Sequence, residues 1–176
     1  LRPSLWLPFN VKIPSNDRVD GLLRWFDVPS SERPRLATLY FSAVDHGGHK
    51  HGPDAPEMQA SITEVDEAVA RLIDGLERLG LREKANLIIV SDHGMSPASP
   101  ERVIFLDDLV NVRTIEIETS GPYAGVRPKP GTRTAPELAA VIRAKAPPQL
   151  RVYLRDELPS RFHFSGNDRI PAVILV

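Results

Sequence analysis

Two short stretches of the chain concentrate aspartate and histidine. Three of the five histidines fall within residues 46–51, inside the stretch YFSAVDHGGHKHGPDAP of residues 40–56. The stretch IIVSDHGM of residues 88–95 repeats the theme, because an apolar run again leads into an aspartate and a histidine. The chain has no cysteine, so carboxylates and imidazoles are the metal ligands on offer. This donor set suits zinc, manganese or iron, in a catalytic centre rather than a closed structural site.

The elements around these stretches are predicted to bring them together. Residues 36–44 and 87–90 are apolar runs of strand length, typical of strands buried on both faces. Residues 58–76 between them repeat apolar side chains at helical spacing, and Gly80 suits a left-handed helix cap. Such a βαβ unit has parallel strands, whose carboxyl ends collect ligands. The residues expected to converge there are Asp45, His49, Asp92 and His93.

These residues also have ordinary structural interpretations. A single Asp-His pair after a strand is usually a helix cap or a loop hydrogen bond, but its repetition after a second strand favours metal binding. Two such pairs fit a two-metal centre, with ions about 3.5–4 Å apart, of the kind that transfers phosphoryl groups. His46 and His51 have weaker claims as ligands, since either could be a solvated loop histidine.

The rest of the chain shows weaker patterns. We expect an irregular opening through residue 17, then a helix over residues 18–28 capped by Asp17. Further predictions are a strand at 103–106, a loop at 121–131, a helix at 136–146, and strands at 152–154 and 172–176. Together these elements predict an α/β fold with a mostly parallel central sheet flanked by helices.

Composition excludes several classes of protein. The 176 residues carry a net charge of −1, which gives no electrostatic case for a nucleic-acid-binding surface. The longest apolar runs are far shorter than the about 20 residues of a membrane span, so we expect none in this segment. The chain opens with Leu1 and shows no secretory signal, which suggests a processed or cut polypeptide.

The chain resembles the nucleotide pyrophosphatase/phosphodiesterase family of the alkaline phosphatase superfamily. The resemblance rests on two signatures in combination, D-x-x-x-H-x-x-G-P at residues 45–53 and S-D-H-G-M at residues 91–95. Further similar segments are DRVDGLLRWFDVP (17–29), EVDEAVARLIDGLERLGL (64–81) and LPSRFHFSGNDRIPAVIL (158–175). The resemblance therefore spans most of the chain and implies an alkaline-phosphatase-like fold, here incomplete.

The resemblance implies an enzyme with two zinc ions that hydrolyses phosphodiester or pyrophosphate bonds in nucleotides and releases nucleoside 5′-monophosphates. Asp45 and His49 match the ligands of one zinc, and Asp92 and His93 match ligands of the other. Phe9 matches an aromatic position that stacks on the nucleobase, although it could equally be a core aromatic.

Parts of the family pattern are absent from these residues. The family's Thr or Ser nucleophile, which forms a covalent intermediate, lies on an N-terminal segment outside this chain, and a further zinc-binding histidine lies beyond its last residue. His163 is too early to be that histidine, and Ser91 matches no nucleophile of the family. The 176 residues are thus expected to be part of a single catalytic domain that lacks its N- and C-terminal segments. The isolated segment is expected to be inactive, with the remaining segments of the enzyme as its partners.

Three alternatives remain at this level. Another hydrolase of the superfamily, such as a phosphomonoesterase, sulfatase or phosphonate hydrolase, would share the metal scaffold. A non-catalytic metal- or nucleotide-binding remnant would have lost the nucleophile, and a plain α/β domain would bind no metal. The resemblance implies a periplasmic or secreted location, because enzymes of this family usually act outside the cytoplasm.

Overall fold

The computed structural model describes residues 2–176, so Leu1 lies outside it. The described chain divides into an N-terminal unit that ends at Ser99 and a C-terminal unit, Pro100–Val176. Within residues 2–176, the longest helices are too polar to be membrane-spanning segments. The prediction that both units are parts of one catalytic domain stays a prediction.

Three helices form most of the N-terminal unit: α1 (Ser15–Phe26), α2 (Ala43–His51) and α3 (Met58–Arg78). The helices predicted at 18–28 and 58–76 are confirmed, and Gly80 has the expected left-handed backbone with a φ of 65°. Asp17 lies inside the first turn of α1 rather than at its cap. The apolar faces of α1 and α3 pack together, which buries Val19, Leu22, Leu23, Ala68, Leu72, Leu76 and Leu81.

The two predicted parallel strands of this unit are wrong. Residues 36–42 and 87–90 have no regular secondary structure, and Ala43 and Val44 begin α2 instead. Ala37, Leu39 and Phe41 pack on the helical core, but Leu36 is 84% exposed. Among the described residues, neither segment has a backbone hydrogen bond to a neighbouring strand. Since a strand exists only as part of a pair, apolar character alone does not make one.

The C-terminal unit contains a four-stranded sheet and two α-helices. Its strands are β1 (Ile115–Thr119), β2 (Ala124–Pro128), β3 (Val152–Leu154) and β4 (Val173–Leu175); its helices are α4 (Leu106–Leu109) and α5 (Ala135–Lys145). The strand order is β1-β2-β4-β3, and every neighbouring pair is antiparallel. Helix α5 packs on the sheet and closes a core that includes Leu109, Ile115, Val126, Leu138, Ile142, Val173 and Leu175.

The sheet confirms some predictions and corrects others. The strands expected at 152–154 and 172–176 and the helix at 136–146 are present, so the α/β class holds. The mostly parallel sheet is wrong, because all pairings in the described sheet are antiparallel. The strand expected at 103–106 is absent, while the predicted loop at 121–131 contains β2, which pairs with β1 in a hairpin. Antiparallel strands need only a short turn between them, so a region rich in Gly and Pro can hold both turn and strand.

Candidate active site

Helix α2 positions the first Asp-His pair, Asp45 and His49. Residues four positions apart lie on the same face of a helix, so both side chains project together. His49 Nε2 lies 3.5 Å from Asp45 Oδ1. Asp45 is in the first turn of α2, where the helix dipole favours a carboxylate. The structure therefore places the two side chains close together, on a helix rather than at the end of a strand.

The second Asp-His pair, Asp92 and His93, lies on the irregular segment that follows residues 87–90. The Ser91 hydroxyl donates a hydrogen bond to the carbonyl of His93, and the His93 backbone N–H donates to Asp92 Oδ1 at 3.2 Å. The His93 side chain reaches both aspartates, since its Nε2 lies 3.8 Å from Asp92 Oδ2 and 3.8 Å from Asp45 Oδ1. The structure thus brings the two pairs together around His93 and Asp45.

The electrostatics of His93 follow from these contacts. Its Nδ1 lies 2.8 Å from the carbonyl oxygen of Gly94, and this hydrogen bond is the main cause that raises the pKa of His93. The negative charges of Asp92 and Asp45 raise the pKa further. With Nδ1 donating to Gly94, the neutral ring presents Nε2 as an acceptor on the side of the two carboxylates.

Aspartate and histidine suit zinc in kind, and the spacing of the first pair fits two ligands of one ion, but each pair is only a partial ligand set. Two ligand atoms that each lie about 2 Å from one tetrahedral ion are about 3.3 Å apart, close to the 3.5 Å between Asp45 and His49. Within residues 2–176, no group of three or more His, Cys, Asp or Glu side chains is arranged closely enough to hold a metal ion. Four-coordinate zinc at either pair would need further ligands.

An apolar cleft of about 870 Å³ adjoins the two Asp-His pairs within the N-terminal unit. Its walls are the segments 36–41 and 86–95 and the face of α3 that carries Met58, Val65 and Val69. Asp45, Asp92 and His93 are among its lining residues, so the acidic cluster borders an apolar space. Small-molecule sites commonly combine such a concave apolar surface with a few polar groups.

Aromatic side chains lie near the same place. Phe9 is exposed, and its ring meets the Tyr40 ring edge to face with centroids 5.8 Å apart. The Arg18 guanidinium covers Phe9 at 5.0 Å from the ring centroid. Because Phe9 is 61% exposed, the core-aromatic interpretation is wrong. Tyr40 was not among the candidates from the sequence, and it lies five residues before Asp45 in an apolar run.

The other candidates of the sequence lie outside the cluster. His46 and His51 are exposed on α2. His163 belongs to the C-terminal unit, where it ends a 3-10 turn with a left-handed φ of 48°. The Ser91 hydroxyl donates a hydrogen bond to the backbone of its own segment.

Comparison with known families gives one consistent result. The family model described as type I phosphodiesterase/nucleotide pyrophosphatase matches residues 1–176. A pyrophosphatase/phosphodiesterase of Schizosaccharomyces pombe is 34% identical, and the match covers 99% of this chain and 37% of that relative. The bis(5′-adenosyl)-triphosphatase ENPP4 of Bos taurus is 35% identical, over 99% of this chain and 38% of its own length.

Solved structures give the same picture. The chain is similar to murine ectonucleotide pyrophosphatase/phosphodiesterase 5, with a TM-score of 0.87, 35% identity, and coverage of 99% of this chain and 45% of that one. An inactive variant of the same murine protein, solved in complex with AMP, matches with a TM-score of 0.85 and 35% identity. The chain therefore spans less than half the length of each of these relatives.

Proposed function

Because the chain belongs to the type I phosphodiesterase/nucleotide pyrophosphatase family, we propose that it is part of a hydrolase that cleaves phosphodiester or pyrophosphate bonds in nucleotides and releases nucleoside 5′-monophosphates. The observation that carries this proposal is the convergence of the two Asp-His pairs, with His93 Nε2 3.8 Å from Asp45 Oδ1, beside an apolar cleft. The relative solved with AMP supports a nucleotide as substrate.

Two zinc ions are the proposed cofactors. Asp45 and His49 would hold one, and Asp92 and His93 would hold the other. Bound zinc supplies Lewis-acid stabilisation of negative charge on phosphoryl oxygens. The chain's own contribution is orientation: α2 aligns the first pair, and the bond from His93 Nδ1 to Gly94 turns Nε2 toward the carboxylates.

Phe9 is the proposed contact for the nucleobase, together with Tyr40. The exposed edge-to-face pair offers ring surface beside the cleft, and stacking on an aromatic ring suits any base. The Arg18 guanidinium lies on one face of the Phe9 ring. A base held at these rings would orient its phosphate relative to the Asp-His pairs.

The remaining segments of the enzyme are the proposed partners of this chain. They would supply the Thr or Ser nucleophile, on which the covalent intermediate forms, and the ligands that complete each zinc site. Splitting hydrolysis into two displacements at such a nucleophile eases a difficult step. A periplasmic or secreted location is proposed, supported by relatives named ectonucleotide pyrophosphatases.

The test measures zinc and product with the polypeptide that includes the remaining segments. We expect about two zinc ions per molecule by elemental analysis, as a two-metal centre requires, and about one after Asp92→Ala. The matched control is Asp66→Ala, which removes an exposed carboxylate of α3 and should retain both ions. Full zinc content in Asp92→Ala would contradict the assignment of that residue.

A substrate panel separates the alternatives. A nucleotide diester should be hydrolysed to a nucleoside 5′-monophosphate much faster than an aryl phosphate monoester or an aryl sulfate is hydrolysed. Preference for the monoester or the sulfate would indicate another hydrolase of the superfamily. Zinc binding with no turnover of any of the three would indicate a non-catalytic remnant.

A further inference from the structure

Both methionines of the chain pack against two adjacent buried glycines of α2, Gly47 and Gly48. A Cβ atom on Gly48 would lie 3.0 Å from Met95 Cε and closer still to Met95 Sδ. A Cβ atom on Gly47 would lie 3.3 Å from Met58 Sδ of α3. A Cβ atom at Gly48 would force the end of the Met95 side chain to shift, so the thioether of Met95 rests directly on the backbone of α2.

Met95 packs the segment that carries Asp92 and His93 against α2. Residues 82–94 are exposed, whereas Met95 is half-buried. The hydrogen bonds of residues 91–94 stay within the segment, and residues 86–95 have no backbone hydrogen bond to other described elements. Apart from Met95, the described contact from these polar residues to α2 is the 3.8 Å approach of His93 to Asp45.

The geometry of α2 links the Met95 contact to the two Asp-His pairs. Gly48 lies three residues after Asp45, so the two positions share one face of the helix. Met95 packs at Gly48, and His93, two residues earlier, reaches Asp45 one turn back along the same face. A segment held at Gly48 therefore places its histidine beside the carboxylate of the first pair.

We propose that Met95 is a positioning residue that, by packing on Gly48, sets the distance between the first and second Asp-His pairs. This distance affects zinc affinity if the proposed function is right, so that part of the inference rests on the proposed function. A thioether suits the role because it fills an irregular gap against bare backbone. Shortening Met95 removes its contact with α2, and adding a methyl group to Gly48 displaces the Met95 thioether from that contact.

The test is a double-mutant cycle read through zinc affinity, in the polypeptide that includes the remaining segments. Loss of groups that orient metal ligands typically costs about 10–100-fold in metal affinity. We expect a loss in that range for Met95→Ala and for Gly48→Ala, and recovery to near the original affinity for Met95→Leu. The double variant should lose no more than either single variant, because both changes break one contact.

Gly75→Ala is the matched control. A Cβ atom there would lie 3.0 Å from Leu23 Cγ in the packing of α3 on α1, so the substitution crowds a buried contact away from the site. It should lower the free energy of unfolding without changing the zinc affinity of the folded protein. The proposal is overturned if Met95→Ala keeps full affinity, if leucine fails to restore it, or if the two single losses simply add.

A metal-free measurement separates this inference from the proposed function. In the 176-residue chain, the imidazole signals of His93 in ¹H–¹⁵N NMR spectra should shift in Met95→Ala, while those of His163 should not. If zinc never binds but His93 still shifts, the zinc proposal fails and the positioning role stands. An unchanged His93 overturns the positioning role whatever the zinc content.

Discussion

Apolar segments of similar composition have opposite structures in the two units. In the C-terminal unit, β4 (Val173–Leu175) pairs with β2 on one side and β3 on the other, and Leu175 is 3% exposed. In the N-terminal unit, residues 87–90 are equally apolar, but Val90 is 82% exposed. Hydrophobicity therefore does not separate the two segments. The presence of neighbouring strands does.

The difference follows from where backbone hydrogen bonds are made. A helix satisfies its N–H and C=O groups internally, so α1, α2 and α3 form in the N-terminal unit without a sheet. An extended segment satisfies the same groups only through a neighbour. The C-terminal unit contains all four strands of its sheet, whereas the apolar segments of the N-terminal unit have no strand partner among the described residues.

Amide hydrogen exchange gives the most direct and largest contrast. In the 176-residue chain, the amides of residues 87–90 should exchange at nearly the rate of an unfolded peptide. The amides of β4 should exchange more than about a thousandfold more slowly, since opening them requires unfolding of the C-terminal core. Exchange measured by NMR or mass spectrometry resolves both. Slow exchange at residues 87–90 would show that they are paired in solution. It would contradict the contrast between these residues and β4.

Two isoleucine substitutions test the same contrast energetically. Ile142 of α5 is fully buried in the C-terminal core, whereas Ile88 is 80% exposed. Ile142→Ala should lower the free energy of unfolding of its unit by about 2–5 kcal/mol, through lost burial and the cavity left behind. Ile88→Ala should change stability by less than about 0.5 kcal/mol. Urea unfolding of the two variants gives both values, and comparable losses would contradict the exposed placement of residues 87–90.

The fold was predictable where an element has its own sequence pattern or has strand partners within this chain. Helix α3 was predicted from its own apolar periodicity, and β3 and β4 from short apolar runs that have partners here. The strands β1 and β2 were missed for different reasons. The IEIET stretch of β1 alternates apolar and acidic residues, a strand pattern that was overlooked. Strand β2 contains glycine and proline, which are typical of loops, so the sequence predicted a loop there.

The candidate site was predictable in its members but not in its architecture. The signatures around Asp45 and Asp92 identified four residues that the structure places near one another. Their expected arrangement at the edge of a parallel sheet is wrong, because Asp45 and His49 project from α2. Contacts that depend on tertiary packing, such as Tyr40 with Phe9, have no periodic signal in the sequence. Their roles as ligands and base contacts stay predictions.

The smallest expected effect concerns one carboxylate near the surface of each unit, half-buried Asp20 and exposed Glu137. Arg71 of α3 donates two hydrogen bonds to Asp20 of α1, at 2.7 and 2.8 Å, and these bonds lower the pKa of Asp20. In the C-terminal unit, the backbone N–H of Thr134 donates to Glu137 in the capping box of α5, which lowers the pKa of Glu137. A lowered folded-state pKa means that each carboxylate stabilises its unit above the ordinary value and that this stabilisation is lost as the pH falls through the folded-state pKa.

The two carboxylates should differ in how far the loss spreads, which sharpens the comparison. Asp20 and Arg71 are 51 residues apart and join two helices, so Asp20→Asn should remove part of the acid sensitivity of both α1 and α3. Glu137 acts three residues from Thr134, so Glu137→Gln should alter only the first turn of α5. NMR spectra recorded from about pH 6 to about pH 2.5 would follow each element separately. Acid effects of Glu137→Gln throughout the sheet would show that the capping box is coupled to the whole C-terminal core. The Asp20–Arg71 bond between helices and the Thr134–Glu137 bond within one turn would then have equally widespread effects.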